Sequence, residues 1–425
     1  VTGRDLFIGI DCGTSGVRAV AIDQQRQLRA DSAIAMRDVG KDPRDPATWQ
    51  IALMRALDCV FADVETADVR AIAVDGTSGT LMPVTEDGKP LGRALMYNDA
   101  IEDADILAAI AQSAPQTSAV HGANSGLARF VSIQKQSHPM LFKIIHQADW
   151  LSGLLSGSFN ISDQNNALKT GYDALADCWP EWIDACGADG NLLPQVVAPG
   201  TATGTLQKKL ATRYRLPDDV AIVAGTTDGC ASFLATGASE AGDAVTALGT
   251  TLTIKLLSDR PLFAPEYGLY SHRLGDRWLA GGASNTGGNV LLHYFDAEKI
   301  QSLSEQIDTS QPASLEYYPL REAGERFPVN DPDYPPRVEP RPDSDAEFLY
   351  ELFDGIAGVE GLAYQRLQQL GAPQLRTLRS VGGGAANQAW TRIRERKLGI
   401  EFSNVQFDEA AAGSALLAMR GVGAG

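Results

Sequence analysis

Apolar residues in this chain fall in short unbroken runs, each closed by a cluster of Gly, Thr, Ser and Asp. Leu6-Phe7-Ile8-Gly9-Ile10-Asp11 is the first, and a continuous run this short predicts a strand buried on both faces. Cys12–Gly16 follows as a tight turn and Val17–Ile22 returns, which together predict a hairpin. From Pro46 to Val64 the period changes: Trp49, Leu53, Leu57 and Val60 share one stripe, as an amphipathic helix requires. Val69–Val74 is again a buried strand, ending in Asp75-Gly76-Thr77-Ser78-Gly79, and Thr80–Val84 is expected to continue it beyond the turn. Strand, turn and helix then alternate, an α/β pattern with polar and glycine-rich residues gathered at strand ends.

A second half opens at Val220–Ala224, which leads into Gly225-Thr226-Thr227-Asp228-Gly229. Ala244–Leu248, Gly249-Thr250-Thr251 and Leu252–Leu257 then repeat the strand, Gly/Thr turn and strand of residues 6–22. Two halves of related design follow from this, not a short-period repeat. Six prolines between Gly324 and Asp343 exclude a helix or inner strand there and predict a surface loop. Ser344 is placed to cap a long helix carrying Phe348, Leu352, Ile356, Leu367 and Leu370, which Gly371 ends. Leu375–Val381, Gly382-Gly383-Gly384 and Ala385–Lys397 read as strand, turn and helix.

Length and composition narrow the classes. At 425 residues the chain exceeds the size at which single cores stop growing, so two domains are expected. Hydrophobic content of 44% with 21% charged residues is that of a globular protein. A net charge of -17 argues against a nucleic-acid partner, which needs clustered Lys and Arg. No run approaches the ~20 apolar residues of a membrane span. The five cysteines are scattered without metal-ligand spacing and read as free thiols, and the five histidines form no His-x-x-x-His pair. The expected compartment is the cytoplasm, or an organelle stroma if a targeting segment has been trimmed. Oligomeric state is not legible.

The strand-end clusters carry the candidate chemistry. Successive N–H groups in glycine-rich turns form anion-binding nests, and Thr and Ser hydroxyls add donors to phosphate oxygens. Aspartates beside such turns suit a Mg²⁺ ion or a proton transfer. Taken singly each cluster has a plainer reading: a hairpin turn, an Asp228 that caps a helix, a Gly382–Gly384 strand-to-helix connection, an Asp75 that bonds its own turn. Trp150 suits a core position better than a sugar-stacking one. Their joint order suits phosphoryl transfer. Neither a P-loop sequence nor a G-x-G-x-x-G after the first strand is present.

In this order the motifs resemble those of the FGGY carbohydrate kinases, of the actin-like ATPase superfamily, over essentially the whole chain. Ile10–Gly16 resembles the family's first phosphate motif, Gly249-Thr250-Thr251 its second, and Val381–Asn387 its adenosine motif. Ala224–Gly229 resembles the segment carrying the catalytic aspartate, and Met96-Tyr97-Asn98-Asp99 the Trp-Asn-Asp element near the sugar. More narrowly, Val74–Thr80 and Asp163–Tyr172 resemble a branch in cyanobacteria and plants regarded as D-ribulose kinases.

The resemblance implies an α/β fold of two actin-like (ribonuclease H-like) ATPase domains flanking a nucleotide and sugar cleft. The expected domains are 1–228 on the sugar side and 229–425 on the ATP side, with the last helix, about 408–425, packing back on the first. It implies ATP held by Gly13, Thr14, Ser15, Gly249, Thr250, Thr251, Gly383, Gly384 and Asn387, and a sugar held by Asp11, Ser78, Thr77, Asn98 and Asp228, with Asp75 a further candidate. Asp228 is the expected general base, and Mg²⁺ is assigned to Asp11, with Asp228 as the second carboxylate. Where xylulose kinases usually carry Gln-Met-His-Gly this chain has Gly76-Thr77-Ser78-Gly79, which removes the pocket residues on which a xylulose assignment would rest, and the branch resemblance implies D-ribulose. A D-xylulose kinase, and a nucleotide-dependent sugar sensor without kinase activity, remain the alternatives.

Overall fold

The N-terminal strand-turn-strand signature folds as a hairpin. In the computed structural model, which describes residues 4–40 and 42–424, β1 (Leu6–Cys12) pairs antiparallel with β2 (Gly16–Asp23). β3 (Leu28–Ala35) adds antiparallel to β2. Asp45 caps α1 (Pro46–Ala62), whose carboxylate accepts from the Ala47 N–H, and Trp49, Leu53, Leu57 and Val60 are all buried in the core beneath the sheet. β4 (Val69–Gly76) lies parallel to β1 on its other edge. The segment after it does not continue that strand: β5 (Leu81–Val84) pairs instead with β6 (Lys143–His146), because the backbone reverses at Gly79, where φ is +85°.

Helices α2 (Gly126–Lys135) and α3 (Gln147–Ser156) follow, then β7 (Ala202–Thr205), β8 (Ala221–Val223) and α4 (Asp228–Ala235). The finished sheet runs β3-β2-β1-β4-β8-β7. The C-terminal helix, Ala410–Gly421, lies across β1 and β4 and packs against α4. At Gly9 any Cβ would collide with the Ala411 carbonyl, so the glycine inside the first strand is what lets this helix dock. The first compact unit therefore runs to Ala235, past the expected division at Asp228, and takes in His272–Gly275 and the segment from Glu409 onward. Trp150 fills core, 1% exposed, its indole N–H donating to the Gly88 carbonyl.

The second unit holds Thr236–Ser271 and Asp276–Asp408. β9 (Asp243–Leu248), β10 (Leu252–Ser258) and β11 (Arg277–Ser284) form an antiparallel series, followed by the short α5 (Gly288–Tyr294). Ser344 caps α6 (Asp345–Gln369) through the Glu347 N–H, and Gly371 ends it at φ +103°. β12 (Thr377–Val381) then pairs parallel with β9, and α7 (Gln388–Leu398) closes the layer. Each unit thus repeats one plan, three antiparallel strands with a parallel strand on the first. The proline-rich segment is irregular but not merely superficial. Phe327 is fully buried, and the Glu325 carboxylate accepts from the Ser284 and Tyr318 hydroxyls and the Asn285 N–H. All five cysteines are free. Among the described residues no helix is long and apolar enough to cross a membrane.

His146, at the end of β6, supplies a pH test of this packing. Burial, reinforced by the Arg129 charge, holds its imidazole down at about 3. Above about pH 6.5 both folded and unfolded forms are neutral; below it only the unfolded chain takes up the proton, so stability falls as pH falls. By pH 5 the loss from this group is about 2 kcal/mol. Asp149, pushed well above the carboxylate range by burial, acts with the opposite sign. The comparison must therefore be with a variant: between pH 7 and 5, His146→Gln is expected to lose about 2 kcal/mol less than wild type in urea unfolding. Equal losses would exclude His146 as the group.

Candidate active site

Parallel pairing of β1 with β4 sets Asp11 opposite Asp75. Side chains paired in register point to the same face, so two carboxyl groups meet at the ends of adjacent strands. Asp11 is 6% exposed and Asp75 fully buried. Asp75 Oδ2 accepts from Ser414 Oγ of the C-terminal helix at 2.6 Å, while Oδ1 has no conventional donor. Burial first, and then the Asp11 charge, push Asp75 well above the usual carboxylate range. Of the two it is the member that burial drives further toward the protonated form. Asp11 is itself raised, chiefly by burial and further by Asp228, with Arg18 Nη1 at 3.8 Å from its Oδ2 opposing.

Asp228 begins α4, half-buried. Its Oδ1 accepts from the Gly229 N–H at 2.7 Å, and its charge acts on both Asp11 and Asp75. Three aspartates that are 64 and more positions apart in sequence therefore share one place. Beside them the turn after β1 is open: Thr14 and Ser15 are exposed and Gly13 half-exposed, with the Gly13 N–H closing the turn on the Gly16 carbonyl at 3.0 Å.

The turn after β4 contributes unequally. Thr77 does not present its hydroxyl. The Thr77 N–H and Oγ1 both donate to Gln147 Oε1, at 3.0 and 2.8 Å, and Oγ1 lies 2.7 Å from Thr80 Oγ1. Thr77 thus fixes the turn and offers a ligand nothing. Ser78 is the contrary case, half-buried with its Oγ shielded and without any protein partner. Asn98 is exposed in the loop that follows Met96. Gln147 was not singled out from sequence; a lone glutamine at a helix start gives no signal there.

The second unit carries the other turns. Gly249 and Thr250 are exposed and Thr251 half-exposed between β9 and β10. They are pinned from behind by the chain entering α5: the Gly288 N–H donates to the Gly249 carbonyl at 2.9 Å and the Asn289 N–H to the Thr250 carbonyl at 3.0 Å. Gly287-Gly288 was missed from sequence, although a glycine pair before a helix is a signal that was there to use. Gly383 faces open space. Gly384 does not: a Cβ there would lie 2.7 Å from the Trp390 ring, so packing explains this glycine. Asn387 caps α7, its Oδ1 accepting from the Trp390 N–H at 3.0 Å and its Nδ2 donating to Ser304 Oγ at 2.7 Å. Its amide is thereby engaged by the protein and does not reach outward, yet the residue still walls a cavity of about 400 Å³ with Gln301, Ser304, Glu305 and Arg392.

Among the described residues no three His, Cys, Asp or Glu side chains form a metal cage. One or two carboxylates at an open turn nevertheless fit Mg²⁺, which keeps several waters and is bound largely through substrate phosphates.

Residues 6–235 match the FGGY family of carbohydrate kinases, N-terminal domain, and residues 244–422 its C-terminal domain. The chain is 24% identical to the xylulose kinase of Escherichia coli (strain K12), over 96% of its own length and 87% of that protein's. It is 25% identical to an L-fuculokinase of Salmonella typhi, over 99% and 93%. A crystal structure described as a xyloylose kinase from Brucella ovis superposes with a TM-score of 0.85 at 23% identity, covering 98% of this chain and 91% of that one.

The Gln147 acceptor can be tested without any ligand. Gln147→Met keeps the volume but strands the Thr77 N–H, while the hydroxyl keeps Thr80 Oγ1, at a cost of about 1–3 kcal/mol for the buried group left unpaired. Urea unfolding should show a loss in that range; a loss below about 0.5 kcal/mol would mean that the turn is held by other contacts.

Proposed function

The chain belongs to the FGGY family of carbohydrate kinases, and from that premise we propose that it phosphorylates D-ribulose at the expense of ATP, with Asp228 as the general base. The observation that carries the reading is the meeting of Asp228 and Asp11 beside an exposed Gly-Thr-Ser turn, with the fully buried Asp75 behind them. A base must be ionised and near the acceptor hydroxyl. Asp228, half-buried at a helix start, meets the first need better than the fully buried Asp75.

In the proposed step Asp228 takes the proton as the sugar oxygen attacks the γ-phosphorus. The bond from that phosphorus to the β–γ bridging oxygen breaks, and ADP leaves with the electron pair. Mg²⁺, when bound, neutralises charge on the phosphates, and Asp11 would hold it, with Asp228 beside it. Gly13, Thr14 and Ser15 in the first unit, and Gly249, Thr250 and Thr251 in the second, would donate to phosphate oxygens. The open face at Gly383 and the cavity that Asn387 walls would take the adenosine. Ser78, with its unpartnered hydroxyl, and Asn98 would hold the sugar. Positioning and charge neutralisation supply most of the acceleration in such transfers.

Gly76-Thr77-Ser78-Gly79, in place of Gln-Met-His-Gly, supports D-ribulose. The names of the relatives favour a second reading, D-xylulose. A panel of ketoses, aldoses and polyols in an ADP-release assay is expected to rank D-ribulose first by kcat/KM; D-xylulose ranking first would establish the second reading. Sugar binding without a phosphosugar product would identify a sensor. Asp228→Asn should lower sugar-dependent ADP release by about 10²–10⁴-fold with nucleotide affinity nearly unchanged. Wild-type turnover in that variant would refute the base assignment.

A further inference from the structure

Arg129 of α2 is 2% exposed, and among the described residues it has no ion-pair partner. The Asp99 carboxylate acts on it only through space, being paired with Arg44. A buried guanidinium without a carboxylate carries a desolvation cost that needs a reason. Two of its nitrogens donate to backbone carbonyls: Nε to Gly79 at 3.0 Å, and Nη1 to both Tyr97 and Asp99 at 3.1 Å.

Those three carbonyls are not scattered. Gly79 is the residue after Ser78, and Tyr97 and Asp99 stand on either side of Asn98. The guanidinium therefore joins the two segments that carry the candidate sugar-binding residues. Its planar fork holds them in a fixed relation, where an ammonium would act as a point charge. The surroundings are built for this contact. Gly79 has φ +85°, a conformation that favours glycine, and a Cβ there would stand 3.0 Å from Arg129 Nη2 and crowd the guanidinium. The Tyr97 N–H donates to Thr80 Oγ1 at 3.2 Å and the Met96 N–H to Asp99 Oδ2 at 2.8 Å, which fix the same loop from its other sides.

We infer that Arg129 is a positioning residue that sets the spacing between Ser78 and Asn98, and through it the discrimination between C3-epimeric ketopentoses. This rests on the proposed reading of Ser78 and Asn98 as sugar ligands. D-Ribulose and D-xylulose differ only in which face of C3 carries the hydroxyl. Two hydrogen-bonding groups held at one fixed separation can satisfy one epimer and leave the other unpaired, which is the stronger form of selectivity. Arg129 touches no reacting atom, so loosening it should act on the sugar and not on the nucleotide.

The test compares Arg129→Met and Arg129→Lys with Ser78→Ala and Asn98→Ala, measuring KM for each ketose, KM for ATP, kcat and thermal midpoint. Arg129→Met is expected to raise the sugar KM by roughly 10- to 100-fold, to leave the ATP KM within about twofold, and to shrink the ratio of kcat/KM between the two epimers toward one. Arg129→Lys, which keeps the charge and loses the fork, is expected to change the same quantities in the same direction by less, and it decides the matter if the Met variant does not fold. An unchanged epimer ratio in a folded variant, or sugar and ATP KM rising together, overturns the inference. If Ser78→Ala and Asn98→Ala leave the sugar KM unchanged, the sugar-site reading itself fails, and this inference with it. If they raise it while neither Arg129 variant does, only this inference fails.

Discussion

Two carboxyl groups placed opposite each other on neighbouring strands cannot both be ionised without a large cost, and the first unit is organised around that conflict. β1 and β4 pair so that Asp11 faces Asp75, and the chain settles the repulsion by burying one member completely. The C-terminal helix supplies both the cover and, through Ser414, a donor to Asp75. Burial pushes Asp75 further above the usual carboxylate range than Asp11, which stands at the edge of an open turn. A residue 339 positions away in sequence from Asp75 thus donates to one of its oxygens, an effect that favours the anion and that burial outweighs. Docking of that helix depends in turn on a glycine within β1.

Around this centre the polar side chains divide into those that hold backbone and those left for a ligand. Gln147 satisfies the turn at Thr77, and Arg129 ties Gly79 to the loop around Asn98. Ser78 between them is left with a shielded hydroxyl and no partner. Buried polar atoms are nearly always paired in folded proteins, and the proposed sugar contact rests on this unpaired hydroxyl. The second unit follows the same economy in different residues. Its exposed Gly-Thr turn is braced from behind by the entry to α5, and beneath it the fully buried Arg394–Glu360 pair fixes α6 to α7, with Thr246 of β9 also donating to Glu360.

Strand-end turns were legible in the sequence because they combine two strong local signals, an apolar run and a Gly/Thr/Ser/Asp cluster. Helix caps at Asp45 and Ser344 follow equally local rules. Thr77, Gly384 and Asn387 look like ligand-facing residues in a motif but serve packing or capping, since a hydroxyl, a glycine or an amide has the same letter whichever way it points. Gln147 and Arg129 carried no signal at all. Each lies in a helix of ordinary pattern, and its role exists only through carbonyls and amides 30 to 70 positions away.

The sequence by itself determined the alternation of elements, the two related halves, the chemical character of the strand-end turns and, through their order, the kinase family. These properties rest on periodicity and on residue type, which short stretches of chain express without help from the rest. Tertiary structure alone decided that β5 leaves the main sheet, that the first unit reaches Ala235 and reclaims the C-terminal helix, and that burial raises Asp75 further than Asp11. Strand register, burial and hydrogen-bond partners set those outcomes, and each depends on residues that meet only when the chain has folded.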